Sequence, residues 1–245
     1  MRLIKRLADN SSSDSLATSL RRRRFAFFLS LLGRLPRPIT VLDVGGTQEF
    51  WVLMGLHELR NVRITLLNLQ ELEVSKPGFE AVQGDARDLS AFDDASFDVV
   101  FSNSVIEHLG PRFEDQRLMA NEIRRVGKRY FVQTPNRYFP IEPHFLTPGF
   151  QFWPASLRAW TVNHLNVGWY RKIADKSDAR REVESISLLT ERQVRDLFPE
   201  AAIYKERFAA LTKSFVAYGG WQLDAADSQR HRQAGSAEQR VKPRT

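Results

Sequence analysis

A doubly wound α/β sheet, mostly parallel and closed by an antiparallel hairpin, is the fold class this sequence predicts, and three observations predict it. The first is Thr40-Val-Leu-Asp-Val-Gly-Gly-Thr47, an apolar β-branched run that reaches an acidic residue, turns on two glycines and enters a helical pattern. The second is the alternation of short apolar runs with segments of helical period, which places helices on both faces of parallel strands. The third is a closing pair of strand-like runs, Ala201 to Phe208 and Ser214 to Gly219, joined by Ala209-Ala-Leu-Thr212.

Composition sets limits before any motif is used. A chain of 245 residues holds one α/β domain with a sizeable core, plus an insertion or tail. The absence of cysteine excludes disulfides, thiolate metal sites and a cysteine nucleophile. The net charge of +7 suits an anionic partner, and many of the basic residues lie at the two ends. The longest apolar run, Phe25 to Leu32, falls far short of the ~20 residues a membrane span needs. A polar leader precedes that run and no small-residue cleavage site follows it, so a cytoplasmic location is expected.

Taken in order, Met1 to Asp14 reads as a polar leader, and Ser15 to Leu35 as a basic amphipathic helix with Arg21 to Arg24 between Leu16, Leu20, Phe25, Phe28, Leu29 and Leu32. That helix either packs on the sheet, the preferred reading, or contacts a membrane surface or nucleic acid. The domain proper is expected over 36–222. Glu49 to Leu59 is a helix, Val62 to Leu67 the second strand, Phe79 to Gln83 the third, and Phe97 to Ser102 the fourth. Phe113 to Val126 is a helix carrying Leu118, Ile123 and Val126 on its apolar side, and Arg129 to Gln133 is the fifth strand. Residues 136–188 are crowded with aromatic residues interrupted by Pro148 and Pro154, and read as an insertion after the fifth strand that is either a lid recognising substrate, the preferred reading, or a small second core closing the sheet. Within it, Tyr170 to Glu184 is a solvated linker or exposed helix. Thr190 and Gln193 form a capping box before a short helix. Residues 223–245 are polar and expected to be disordered.

The chemistry enters at the first loop. A dinucleotide fingerprint fails, because Thr47 and Phe50 occupy the later glycine positions. A phosphate-binding P-loop fails too, because Gln48-Glu49-Phe50 supplies neither lysine nor adjacent hydroxyl. Asp43 would repel a pyrophosphate but attract a ligand bearing an ammonium and a sulfonium. Asp43, Gly45 and Gly46 thus resemble the first motif of the class I S-adenosylmethionine-dependent methyltransferases, of the small-molecule, type 11-like kind. The resemblance runs from about Val41 to Trp221 and implies a Rossmann-like fold. Thr47 stands where a further glycine is common in that family.

The resemblance implies roles for further residues. Asn68 stands where the family usually has an acidic residue that accepts both ribose hydroxyls. Asp85, with the Ala86 backbone beside it, is the candidate partner of the adenine amino group; Asp after glycine is also ordinary turn chemistry. Asn103-Ser-Val-Ile-Glu-His108 resembles the fourth motif, which lines the methyl-bearing side of the cofactor, so Asn103 joins the cofactor set. It lacks the proline of the enzymes that methylate exocyclic base amines. Thr134-Pro-Asn … Glu142-Pro-His144 resembles a stretch that faces substrate in some relatives, presenting Asn136, Glu142 and His144.

Methyl transfer is an in-line displacement that requires alignment and exclusion of water, and no metal is expected. For a hydroxyl or carbon acceptor a base is needed: His144 first, His108 second, with Glu142 orienting or substituting. His108 also has a bland reading as a packed helix-terminal histidine. The expected acceptor is a small-molecule, lipid or glycan-type compound, methylated on oxygen or carbon. RNA methylation and a catalytically silent S-adenosylmethionine-binding module are the alternatives. Nucleic acid is the less favoured partner, and peripheral membrane contact would run through the basic helix or the aromatic lid.

Overall fold

The structure is a computed structural model that describes residues 16–55 and 61–221. The leader, the tail and residues 56–60 lie outside the described residues; the helix expected over Glu49 to Leu59 instead ends at Leu53, where Met54 caps it and Gly55 at φ 94° turns the chain away. Helix α1 (Leu16–Leu32) precedes strand β1 (Ile39–Val44), helix α2 (Gln48–Leu53), β2 (Val62–Asn68), β3 (Phe79–Gln83) and β4 (Val99–Asn103). Helix α3 (Phe113–Val126) and β5 (Tyr130–Pro135) follow, then the inserted helices α4 (Ala155–His164) and α5 (Lys176–Ser185). Helix α6 (Glu191–Leu197) and the hairpin β6 (Ala202–Phe208) and β7 (Leu211–Gly219) close the domain.

The seven strands run in the order β3-β2-β1-β4-β5-β7-β6. Strands β1 to β5 are parallel, and β7 pairs antiparallel with both β5 and β6. The chain leaves β1 toward β2 and later returns on its other side as β4. The switch in winding direction therefore falls between the C-terminal ends of β1 and β4, where a crevice opens in sheets of this kind.

Strand periodicity divides the core into two layers. Ile39 and Val41 of β1 face one layer with Phe25, Phe28 and Leu32 of α1 and Trp51 of α2. Leu42 and Val44 face the other, with Met119, Ile123 and Val126 of α3 and Val194 and Leu197 of α6. The basic helix is thus committed to the sheet by its phenylalanines. Arg24 goes in with them: its Nη1 donates to both carboxylate oxygens of Glu206 on β6, each at 3.1 Å.

Several boundaries differ from the sequence reading for local reasons. Strand β4 begins at Val99 rather than Phe97, because Phe97 forms only an isolated bridge to Gly127. The hairpin turn is tighter than expected, with Leu211 and Thr212 already paired in β7 and Ala209 at φ 50° making the turn. Lys176–Ser185 is a helix capped by Asp175, which accepts from the Asp178 amide. Its Ala179 and Val183 are buried against Phe145, Phe150 and Val162, so the inserted segment forms a small second core of its own. The capping box of Thr190 and Gln193 forms as the spacing predicts.

Candidate functional site

Asp43 is the last residue of the odd-numbered face of β1, and that face lies under α2. Its carboxylate is 1% exposed, and Oδ2 accepts from the Trp51 indole Nε1 at 2.6 Å. Oδ1 meets no hydrogen-bond partner. Burial pushes the Asp43 pKa up to about 7, with the indole pulling weakly the other way. The carboxylate thus sits beneath the glycine loop and supports it. A Cβ built on Gly46 would lie 1.6 Å from Asp43 Oδ2, so only glycine lets the backbone pass over this side chain. Gly45, at φ 78°, makes the turn.

Asn68 ends β2 beside this loop. Its Nδ2 donates to the Gly46 carbonyl at 2.6 Å, which ties the loop to the neighbouring strand. Asp85 sits in the turn after β3, where Arg87 donates to both of its oxygens from Nε and to Oδ2 from Nη2. These bonds hold the Asp85 carboxyl below the usual range. Ala86 is packed into the α3 side of the core.

Strand β4 ends in a strained reversal. Ser104 adopts φ 60° and its hydroxyl donates to Gln133 on β5, which sends the chain into a single 3-10 turn, Ile106–His108. Two consequences follow. Asn103 keeps its Oδ1 buried with no partner at the crevice, an acceptor suited to a polar ligand. Glu107, 0% exposed, turns inward, where Oε2 accepts from the Thr134 hydroxyl at 3.0 Å and Oε1 is unpartnered. Burial pushes Glu107 up, against the opposing charge of His144.

The loop after β5 brings in the second half of the site. Glu142, almost wholly buried, accepts the amides of His144 and Phe145 on Oε2 and the His144 Nδ1 on Oε1 at 2.6 Å. The imidazoles of His144 and His108 meet edge to face, with centroids 4.7 Å apart. Burial lowers the His144 pKa, but the bond to Glu142 and the charges of Glu142 and Glu107 outweigh it and raise the net value. For His108, burial and then the neighbouring His144 act in the same direction and lower it. All three expected catalytic residues therefore converge, and they gather around Glu107, which the sequence reading did not single out. Asn136 does not join them: its Nδ2 donates to Thr212 and its Oδ1 accepts from Tyr138, so it ties β5 to the hairpin.

Beside Glu142, within the inserted segment, lies a cavity of about 110 Å³ lined by Arg137, Glu142, Gln151 and Arg158 together with apolar residues such as Phe145 and Leu188. Gln151 Oε1 and Arg158 Nε are buried without partners. On the surface of the inserted segment, Phe152, Trp160 and Trp169 are exposed, Trp160 at 54%.

The residues at the strand ends fit an S-adenosyl nucleoside. The glycine loop passes close over Asp43 with room for no side chain, and Asn103 offers an unpaired buried acceptor at the crevice between β1 and β4. Residues 47–130, from this loop to the start of β5, match the family model described as a methyltransferase domain. No curated protein matches the chain. Among solved structures, the CurJ carbon methyltransferase aligns with TM-score 0.52 at 12% identity, over 89% of this chain and 65% of that one, and shows the shared fold. A SAM-dependent methyltransferase from Aquifex aeolicus aligns at 14% identity and TM-score 0.46, over 89% of this chain and 96% of that one. An O-methyltransferase family protein from Burkholderia thailandensis aligns at 13% identity and TM-score 0.46, over 92% and 68%.

Proposed function

We propose that this chain, a class I S-adenosylmethionine-dependent methyltransferase, methylates an oxygen or carbon of a small-molecule, lipid-linked or glycan acceptor that carries an anionic group. The observation that carries the acceptor half of this reading is the shared position of Glu142, which holds His144 on one side and lines the cavity on the other. S-adenosylmethionine supplies an electrophilic methyl group on a positively charged sulfur. Gly45, Gly46, Asn68 and Asn103 are the residues we assign to hold it, with Asp43 beneath the loop and the Asp85 turn at the nucleoside end.

The protein's own work is placement and exclusion of water. Glu142 fixes the His144 ring through Nδ1 and leaves Nε2 to meet an acceptor hydroxyl or acidic C–H. Arg137 and Arg158 outnumber the Glu142 carboxylate in the cavity lining, and a space of this size admits a carboxylate- or phosphate-sized group rather than a whole nucleobase. This supports a small acidic acceptor over RNA. The exposed Phe152, Trp160 and Trp169 support a lipid-linked variant of the same reading, since such side chains suit a membrane interface.

Calorimetry with S-adenosylmethionine, followed by transfer of a labelled methyl group into a fractionated cell extract, tests the reading and identifies the acceptor. His144→Ala is expected to reduce turnover strongly while cofactor affinity stays near wild type. Arg158→Met is expected to raise KM for the acceptor with little change in kcat. Unchanged turnover in the first variant removes His144 from the site, and labelling confined to RNA replaces the acidic small acceptor.

A further inference from the structure

We infer that Glu107, His108 and His144 form a binding site for one divalent transition-metal ion, with Glu142 as the carboxylate that orients the His144 ligand. One donor atom from each of the three side chains lies within 4.8 Å of the other two. Donors bound to one ion at about 2.1 Å are at most roughly 4.2 Å apart, so small side-chain rotations complete the set. The unpartnered Glu107 Oε1 is the independent indication. It belongs to a fully buried carboxylate whose other oxygen is already bonded to Thr134. The Ser104 hydroxyl lies beside Glu107 but donates to Gln133, so Oε1 meets no donor in hydrogen-bonding geometry among the described residues, and a cation would satisfy it.

The surroundings have the form of a metal site. His144 Nδ1 is held by Glu142, which leaves Nε2 as the ligand atom, and a carboxylate on the far nitrogen fixes the ring and makes that atom more basic. Glu142 is itself fixed by the amides of His144 and Phe145. Two imidazoles and one carboxylate suit Mn²⁺, Fe²⁺, Co²⁺ or Zn²⁺ rather than Ca²⁺ or Mg²⁺, which take mainly oxygen ligands. Three protein ligands leave coordination positions open. His108 lies at the rim of the cluster, with surface open to solvent although its ring packs against His144, so those positions face the approach to the site rather than the core.

Metal binding stands apart from methyl transfer. One consequence rests on the function proposed above: an open-sided ion would receive an acceptor oxygen and favour its ionised form, which makes hydroxyl compounds the preferred acceptors. His144 then serves as a ligand, and the ion takes over the activation otherwise assigned to the imidazole.

The test uses full-length protein, freed of any polyhistidine tag and treated with chelator, titrated with Mn²⁺ and followed by electron paramagnetic resonance, with Zn²⁺ titrated by calorimetry. One ion per chain is expected. His108→Ala and Glu107→Gln are each expected to weaken binding at least tenfold, with folding verified by thermal unfolding; the Gln variant keeps an acceptor for Thr134. S-adenosylmethionine binding is measured on the same samples. Folded wild-type protein that binds neither ion at millimolar concentration overturns the site, as does undiminished binding in a His108→Ala/His144→Ala double variant. Ion binding without S-adenosylmethionine binding would instead count against the methyltransferase reading and leave the metal site standing.

Discussion

Trp51 Nε1 donates to Asp43 Oδ2 at 2.6 Å, and this single bond is what a fully buried carboxylate receives from the described residues. A folded-state pKa near 7, well above the value of 3.8 for a free side chain, has a definite sign. Between those values the native state keeps a proton that the unfolded chain has released, so stability falls as pH rises from about 4 to about 7 and levels off above that. Asp43→Asn keeps the acceptor for Trp51 and removes the ionisation. Its unfolding temperature is therefore expected to lose less than wild type does between pH 4.5 and 8. Trp51→Phe leaves the carboxyl without its donor and is expected to cost about 1–3 kcal/mol. Thermal unfolding across that pH range checks both, and parallel pH profiles for wild type and Asp43→Asn would show that the buried carboxyl does not titrate there.

Arg24 and Glu206 provide a second check, because their pairing decides what the basic helix is for. Burial pushes Glu206 up, yet the charges of Arg24 and Lys213 win and hold it low, so the carboxylate stays ionised inside the fold. Removing Arg24 leaves Glu206 with Lys213 and the Ser214 hydroxyl, whereas removing Glu206 leaves Arg24 and Lys213 as buried or half-buried cations without their carboxylate. Glu206→Gln is expected to destabilise by about 3–5 kcal/mol and Arg24→Met by less, because Lys213 still faces the carboxylate; the double variant recovers part of the loss, since Arg24 is then no longer a stranded charge. Urea unfolding of the four proteins closes the cycle. Additive losses would mean that the two side chains do not stabilise one another.

How legible the fold was depended on how local its signal is. β1, its glycine loop, β3, α3 and the Thr190–Gln193 cap each depend on residues within one turn or one strand, and all lie where periodicity and capping place them, although Leu118, expected on the apolar side of α3, is exposed and Met119 is buried in its place with Ile123 and Val126. Arg24 could not be recognised as a core residue, because its partner lies 182 positions away on a strand whose neighbour was unknown. The same limit applies to the site. His108, Glu142 and His144 were visible as residue types in suggestive stretches. The fourth member, Glu107, is hidden next to His108 in sequence and is turned inward only by the left-handed Ser104 and the 3-10 turn after it. A serine forced to positive φ at a strand end has no sequence signature.

Asn68 yields the sharpest prediction about the cofactor loop, because two roles for it give opposite results. If Asn68 simply stands in for the acidic residue usual at this position in the family, Asn68→Asp should bind S-adenosylmethionine at least as tightly. The structure gives it a second role, in which Nδ2 donates to the Gly46 carbonyl at 2.6 Å and holds the loop that passes over Asp43. An aspartate there would set a carboxylate against a carbonyl oxygen, replacing a hydrogen bond with a repulsion in a half-buried place. Asn68→Asp is therefore expected to weaken cofactor binding about tenfold or more and Asn68→Ala to weaken it less, since alanine removes the tie without adding the repulsion. Calorimetry on the two variants decides the order. Tighter binding by the aspartate variant would show that the loop does not need this tie and that the side chain serves the ribose alone.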